Sequence, residues 1–512
     1  MNTSQFILPL TSILLLLGLS PSALSQVNAR RFRNLEPVKL SATFLPAQDS
    51  PLIALRFVFR VGSQDDPPGK EGLAALTAAM MTEGGTSSLT YEQLLERFYP
   101  LAAGLSGASY KELTVFTGLV HRDNIKNYVS LAASMLSSPR FNPEDFIRLK
   151  NEALDYLSKS LRAGDDEELA KSTLELELYK NHPYGHLDRG TIQALKSISL
   201  DDVKAFHHHY FTREALTVGL AGGDQLAILE SLGGYLADLP SRNAVPIELP
   251  TPRIPRGLEI TIVEKPAAST AISLGFPIDV TRRDDDFYAL AIANSYLGEH
   301  RTFNGKLMQD LRGKRGLNYG DYSYLEDFIQ EGMSTFPVPG NSRRQQYFSI
   351  WLRPVPHEKA PFALRASLWE LDALIKHGMT EPDFNATRDY LLNYSKLWVQ
   401  SLPRRLGYAM DGAFYNRRDL VAEIADQLPK LTLGQVNAAI RRHLASPGFK
   451  VAIVTSDAQA LAKILKSNAP TPLAYDTQGT PESILAEDKI IAAFPLPDVS
   501  ITIVPVSQMF EK

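Results

Sequence analysis

Histidine and the carboxylates are the side chains here that could hold a catalytic metal, because the 512-residue chain has no cysteine. The absence of cysteine also excludes a thiol nucleophile and a disulfide framework. Ten histidines are present. A zinc site needs several ligands that converge on one point, so their spacing decides whether the chain can build one.

The histidines do not have ligand spacing. His182 and His186 are four residues apart, but they flank Pro183 and Gly185, so we do not expect them to share a helical face. The other candidates are either consecutive along one predicted helix or isolated from further ligands: His207 to His209, His300 and His357. A metal site built from one of these groups of histidines is the least favoured interpretation. Serine-nucleophile elbows and glycine-rich phosphate loops are absent from the sequence as well.

Charge and the N-terminus restrict the partners and the location. The formal net charge is −4, which argues against nucleic acid because binding to phosphates needs a basic excess. Residues Phe6 to Leu19 are nearly all apolar but too few to span a bilayer comfortably. We therefore predict a signal peptide at 1–25, cleaved after Ser25, and export to a bacterial periplasm. The segment before Phe6 has no lysine or arginine, so a retained anchor stays open.

The chain repeats itself. Residues Val38–Pro46 alternate like a strand and lead into a second strand, and Leu258–Pro266 repeat this pattern 220 residues later. Ser199 and Thr432 each begin a helix that is followed by a β-rich run. Asn142 and Thr380 open two further helices with similar capping chemistry.

This repetition predicts an α+β fold of two homologous domains, each a mixed sheet covered by helices. We place the domains at 36–240 and 257–505. Residues 241–256 between them are rich in proline, which predicts a stiff, extended linker.

Several motifs resemble the pitrilysin/insulinase family of zinc metallopeptidases. Gly62-Ser63, Gly72-Leu73-Ala74 and Gly84-Gly85-Thr86 resemble the segment around the family's metal-binding helix, and His182-Pro183-Tyr184-Gly185 resembles its His-Pro-Tyr-Gly loop. Leu311 to Tyr319 resembles the stretch that carries the family's Arg/Tyr pair. The resemblance covers nearly all of the chain after the signal segment and implies that its two domains form half of a clam-like peptidase chamber.

The chain departs from the family at the metal site. Active members carry His-x-x-Glu-His on the helix after Gly-Leu-Ala, with two zinc ligands and a general base. Here those three positions are Ala75, Ala78 and Ala79, and a methyl group neither binds zinc nor accepts a proton. The family's third ligand would fall near Asp155 and Tyr156. We therefore expect no metal bound by this chain.

The resemblance assigns transition-state stabilisation to Arg312 and Tyr319, whose guanidinium and phenol would donate hydrogen bonds to the oxyanion. Arg315 is an alternative guanidinium that spacing does not exclude. The resemblance also implies that peptides add as a strand along Leu105, Ser106, Gly107 and Ala108. A purely structural role stays open for both groups.

Some members of the family are heterodimers in which one subunit lacks the zinc motif. The leading hypothesis is therefore a non-zinc subunit that acts on extended peptides with a zinc-bearing paralogue. The alternative is a catalytically inactive peptide-binding or assembly scaffold, and a self-sufficient peptidase with a different metal site is a third interpretation.

Overall fold

The computed structural model describes residues 38–243, 247–330, 332, 334–475 and 479–512. The predicted signal peptide at 1–25 lies outside these residues. Within them, no helix combines the length and the apolar composition that are needed to cross a bilayer.

The elements alternate between strands and helices along the chain. The strands are β1 Ser41–Leu45, β2 Leu52–Phe59, β3 Leu105–Ser109, β4 Thr114–His121, β5 Leu216–Ala221, β6 Gly257–Glu264, β7 Thr270–Ile278, β8 Asp321–Tyr324, β9 Gln346–Val355, β10 Gly448–Thr455 and β11 Val499–Pro505. The helices are α1 Leu73–Glu83, α2 Tyr91–Phe98, α3 Ile125–Ser137, α4 Pro143–Asp155, α5 Asp166–Leu178, α6 Ile192–Ser197, α7 Leu200–Tyr210, α8 Gln225–Tyr235, α9 Asp285–Gly298, α10 Ala360–His377, α11 Glu381–Tyr394, α12 Leu402–Phe414, α13 Leu420–Gln427, α14 Leu433–His443, α15 Ala458–Ser467 and α16 Glu482–Ala492. Two π-helical segments, Tyr156–Gly164 and Met308–Gly313, complete the longer elements.

The predicted helix starts are confirmed. The side chains of Ser199 and Thr432 accept hydrogen bonds from the third backbone N–H of α7 and α14, respectively, and each forms a capping box. The side chain of Asn142 caps α4 by accepting from the Glu144 N–H, and that of Thr380 caps α11 by accepting from the Asp383 N–H. The repeated capping chemistry therefore marks equivalent helices in the two halves.

Two mixed sheets carry the duplication. The first has the order β1-β5-β2-β4-β3, and the second has the order β11-β6-β10-β7-β9-β8. In each sheet the pair equivalent to β1 and β5 is parallel and the following pairs are antiparallel. Without β11 the two orders are identical, which confirms two homologous α+β units. The domain limits and the extent of the linker stay predictions, and residues 244–246 of that linker lie outside the described part.

Each half contributes one helix to the sheet of the other. Helix α5 belongs to the first half but packs against β7 and β10. Helix α12 belongs to the second half and packs against β1, β2 and β5. The expectation that helices cover one face of each sheet is therefore incomplete, because the second face is partly covered by the exchanged helix. This exchange ties the halves together.

Candidate functional site

Helix α1 presents the three positions at which a zinc motif would lie. Ala78 is buried, whereas Ala75 and Ala79 are half-buried on a common side of the helix. The N-terminus of α1 is held by Asp66, whose carboxylate accepts hydrogen bonds from the N–H groups of Gly72 and Ala74, both at 2.7 Å. The helix therefore forms and its N-terminus is capped, but methyl groups occupy the two ligand positions and the general-base position of the zinc motif.

The predicted third-ligand region offers no ligand that points to α1. Asp155 is exposed and pairs with Lys159 at 2.7 Å. The ring of Tyr156 lies 4.1 Å from the guanidinium carbon of Arg189. Across the described ranges, no group of three or more histidine, aspartate or glutamate side chains could hold a metal ion.

Two of the other histidines, His207 and His300, are buried in packing contacts. His207 is buried against Phe211, its Nε2 lies 2.9 Å from the carbonyl oxygen of Leu136, and burial lowers its pKa to about 4. His300 is buried and its Nδ1 lies 2.6 Å from the hydroxyl of Tyr324. Both side chains are therefore engaged in contacts within the first and second half, respectively.

The proposed peptide-binding residues form a free sheet edge beside α1. Among the described residues strand β3 pairs only with β4, so its other edge is unpaired there. Ser106 and Gly107 are exposed, Leu105 is buried and Ala108 is half-buried. A Cβ at Gly107 would lie 2.8 Å from the ring of Phe116, which explains the glycine.

A groove of about 270 Å³ runs along this edge. It lies between β3 and α2 and reaches the end of α1. Its apolar side chains come mainly from α2: Tyr91, Leu94, Leu95 and Phe98. The structure thus places an unpaired strand edge next to an apolar groove and the degenerate motif helix.

Arg312 and Tyr319 lie at the two ends of one turn in the second half. Arg312 ends the π-helical segment and stacks on Phe303, with its guanidinium carbon 4.9 Å from the ring centroid. Tyr319 precedes β8 and is 79% exposed. Neither side chain has an ion-pair or hydrogen-bond partner within the described residues. Both groups are therefore free to contact a molecule outside this chain.

Arg315 has a different role. Its side chain is 0% exposed, and its Nε donates to Asp488 at 2.7 Å and its Nη2 to Glu487 at 2.5 Å. Its Nη1 donates to the carbonyl oxygen of Asp310. Arg315 therefore anchors the turn to α16, and its donors are not available for an oxyanion. Sequence spacing could not exclude Arg315 as the oxyanion donor, because its acidic partners lie about 170 residues further along the chain.

Glycine and asparagine hold the rest of the turn. Gly316 has φ = 60°, a left-handed conformation that favours glycine, and its N–H donates to the Arg312 carbonyl. Asn318 accepts from the Gly320 N–H and donates to the Asp321 carboxylate at 2.6 Å. The backbone on both sides of Tyr319 is thus fixed by local bonds.

A buried carboxyl pair lies behind the same turn. The side chains of Asp310 and Glu370 are hydrogen-bonded to each other. Burial, together with the bond to Asp310 and its charge, raises the pKa of Glu370 to about 9. Glu370 therefore carries the proton of the pair at neutral pH.

This pair makes a prediction about pH. The folded-state pKa of Glu370 is above its unfolded value, so folding takes up a proton, and stability is lost as pH rises from the unfolded value toward about 9. Glu370→Gln mimics the protonated acid. We expect it to match the wild type near pH 5 and to gain stability relative to it at pH 8, by up to about 1.4 kcal/mol per pH unit. Urea unfolding at pH 5 and at pH 8 measures this difference in stability. The control is Asp372→Asn, which changes a partly exposed carboxylate. The same pH-dependent gain in that variant would contradict the assignment.

The tip of the β3–β4 hairpin is clamped to the rest of the molecule. Lys111 lies 3.2 Å from Asp188 and 3.7 Å from Glu175. Glu112 accepts hydrogen bonds from Arg344 of the second half and from the hydroxyl of Tyr184. The hairpin tip is therefore held to the His-Pro-Tyr-Gly loop by Tyr184 and to the second half by Arg344.

Comparison with known proteins agrees with this fold. Residues 46–187 match the family described as "Insulinase (Peptidase family M16)", and residues 197–391 match "Peptidase M16 inactive domain". The words "inactive domain" in the second description are the name of a type of domain in this family. The chain belongs to the M16 peptidase family and lacks the zinc motif of its active members.

Relatives carry both peptidase and non-peptidase names. An uncharacterized zinc protease, YmxG of Bacillus subtilis, is 20% identical and covers 79% of this chain and 93% of its own. The non-peptidase homolog YmxG of Helicobacter pylori is 24% identical and covers 84% and 95%.

Solved structures share the fold. A peptidase M16 inactive domain from Pseudomonas fluorescens has a TM-score of 0.70 at 24% identity and covers 81% of this chain and 94% of its own. The periplasmic protease PqqL from Escherichia coli has a TM-score of 0.64 at 15% identity, and the match covers 91% of this chain and 50% of PqqL.

Proposed function

We propose that this protein is the non-zinc subunit of an exported heterodimeric peptidase of the M16 family. Its partner is a paralogue that carries the zinc motif, and its substrates are extended peptides. The observation that carries the proposal is the contrast between the two halves. The motif helix has three alanines at the positions of the zinc ligands and the general base, whereas the turn with Arg312 and Tyr319 is anchored and presents both side chains without hydrogen-bond or ion-pair partners among the described residues.

The chemistry of this chain's own residues fits such a role. Arg312 and Tyr319 would donate hydrogen bonds to the peptide carbonyl oxygen as it gains negative charge, and donors of this kind stabilise the transition state by about 3–4 kcal/mol. Zinc on the partner would supply the activated water. The anchoring of the turn by Arg315 and Asn318 means that little reorganisation is needed when charge develops.

Peptide binding along β3 would use main-chain hydrogen bonds. An unpaired edge offers N–H and C=O groups to any extended chain, so sequence selectivity would be broad. The apolar groove beside the edge would contribute a preference for apolar side chains. Export to the periplasm is part of the proposal because of the predicted signal segment.

An inactive scaffold is the second candidate. It is favoured by the three alanines of α1 and by the similarity to a non-peptidase homolog. A scaffold has no need of Arg312 and Tyr319 as free hydrogen-bond donors, so the two candidates differ in what substitution of this pair does.

Co-purification tests the proposal. The chain, without its signal segment, is expressed alone and with a zinc-motif paralogue from the same organism. We expect a 1:1 pair that contains one zinc ion, and no stoichiometric zinc in this chain alone. Substituting the motif histidines of the paralogue should remove the zinc from the pair. One tightly bound zinc ion in this chain alone, or failure of the two chains to associate, would contradict the proposal.

A further inference from the structure

A second cavity, whose lining includes no residue of the motif helix or of the Arg312 turn, lies between the two halves. Its volume is about 640 Å³, within the range of sites for small molecules. The first half contributes the end of β2 and the end of α7, and the second half contributes the end of α12. Tyr210 and Phe414 give it an aromatic wall.

Four guanidinium groups line this inter-half cavity, and two of them are already engaged. Arg344 pairs with Glu112 at 2.7 Å, and Arg242 contacts Nδ1 of His209 at 2.7 Å. Arg60 and Arg283 have no side-chain partner among the described residues. They come from opposite halves of the molecule.

The carboxylates of the cavity do not neutralise these two arginines. Glu112 is taken by Arg344 and Tyr184, and Glu214 accepts from the Ser241 hydroxyl and the Arg242 N–H. Asp65 accepts from the Gly62 N–H at 2.9 Å. The charged side chains of the cavity that remain without a partner are therefore the two arginines, Arg60 and Arg283.

We propose that this cavity binds a small organic anion with at least two acidic groups, held between Arg60 and Arg283. Guanidinium groups bind carboxylate and phosphate through paired charge-assisted hydrogen bonds. The aromatic wall suits an organic body better than an inorganic ion. Because the two arginines belong to different halves, the bound anion would also connect the halves.

Isothermal titration of the full mature chain tests this site, with citrate as the carboxylate probe and a nucleoside diphosphate without metal as the phosphate probe. We expect saturable 1:1 binding of at least one probe at low salt, and the two probes tell which acidic group is preferred. Arg60→Gln and Arg283→Gln should each weaken binding by about tenfold or more, the loss of one charged hydrogen bond.

The control is Arg441→Gln, an exposed arginine of α14 outside the cavity, which should leave the affinity unchanged. Thermal unfolding of the unliganded variants checks that they fold. Absence of saturable binding for both probes would overturn the proposal. Binding that survives either cavity substitution, or that falls equally in Arg441→Gln, would overturn it too.

Discussion

Replacing Arg343 by methionine should lower the free energy of unfolding by about 3–5 kcal/mol. The side chain is 2% exposed and its Nη1 donates to Glu175 at 2.8 Å, while Nη2 lies 3.7 Å from Asp327. Methionine fills a similar volume but leaves both carboxylates in a buried site. Lys111, at 3.7 Å from Glu175, would then be the closest cation to that carboxylate, too distant for a strong hydrogen bond.

The matched control is Arg353→Met, which removes another ion pair between the halves. Arg353 is 38% exposed and its Nε lies 3.1 Å from Glu167. Exposed pairs contribute about 0–1 kcal/mol, so this loss should be much smaller. Urea unfolding of both variants measures the difference, and equal losses would show that the Arg343 network does not stabilise the contact between the halves.

The second large effect concerns activity. In the heterodimer, Arg312→Ala and Tyr319→Phe should each reduce kcat by about 10²- to 10³-fold, because each removes a hydrogen-bond donor to the developing oxyanion. KM should change little, since these bonds strengthen only in the transition state. Because Tyr319 is 79% exposed, its substitution should leave the unfolding midpoint unchanged.

Tyr99→Phe is the control for Tyr319→Phe. Tyr99 is 88% exposed and lies in the first half, so it matches Tyr319 in residue type and exposure. Its substitution should leave kcat unchanged. Equal activity of the Tyr319→Phe, Arg312→Ala and wild-type heterodimers would remove both residues from the mechanism and favour the scaffold.

Local chemistry explains which parts of the fold were predictable. Helix starts at Ser199 and Thr432 depend on a side chain and a backbone N–H three residues later, so the sequence carries the whole signal. The first strands of the two domains, β1 and β6, lie in segments that alternate with period two, and this pattern is visible in the sequence itself. The duplication follows from finding both signals twice.

Long-range packing explains the rest. The exchange of α5 and α12 between the sheets depends on which apolar surfaces meet. An amphipathic pattern shows that a helix has an apolar face, but it does not show which sheet that face packs against. Arg315 resembles Arg312 in sequence, and only its long-range contacts with Glu487 and Asp488 identify it as an anchoring residue. The inter-half cavity likewise joins residues from many separate parts of the chain, from Arg60 to Tyr415.

The rate of peptide cleavage by the zinc-bearing paralogue, measured with and without this chain, tests the central claim most directly. A quenched fluorescent peptide and equal zinc loading of the paralogue make the comparison quantitative. We predict that the paralogue alone and this chain alone are close to inactive, and that the 1:1 mixture cleaves at least 10²-fold faster, as expected when an oxyanion donor is supplied. Full activity of the paralogue without this chain would contradict the account.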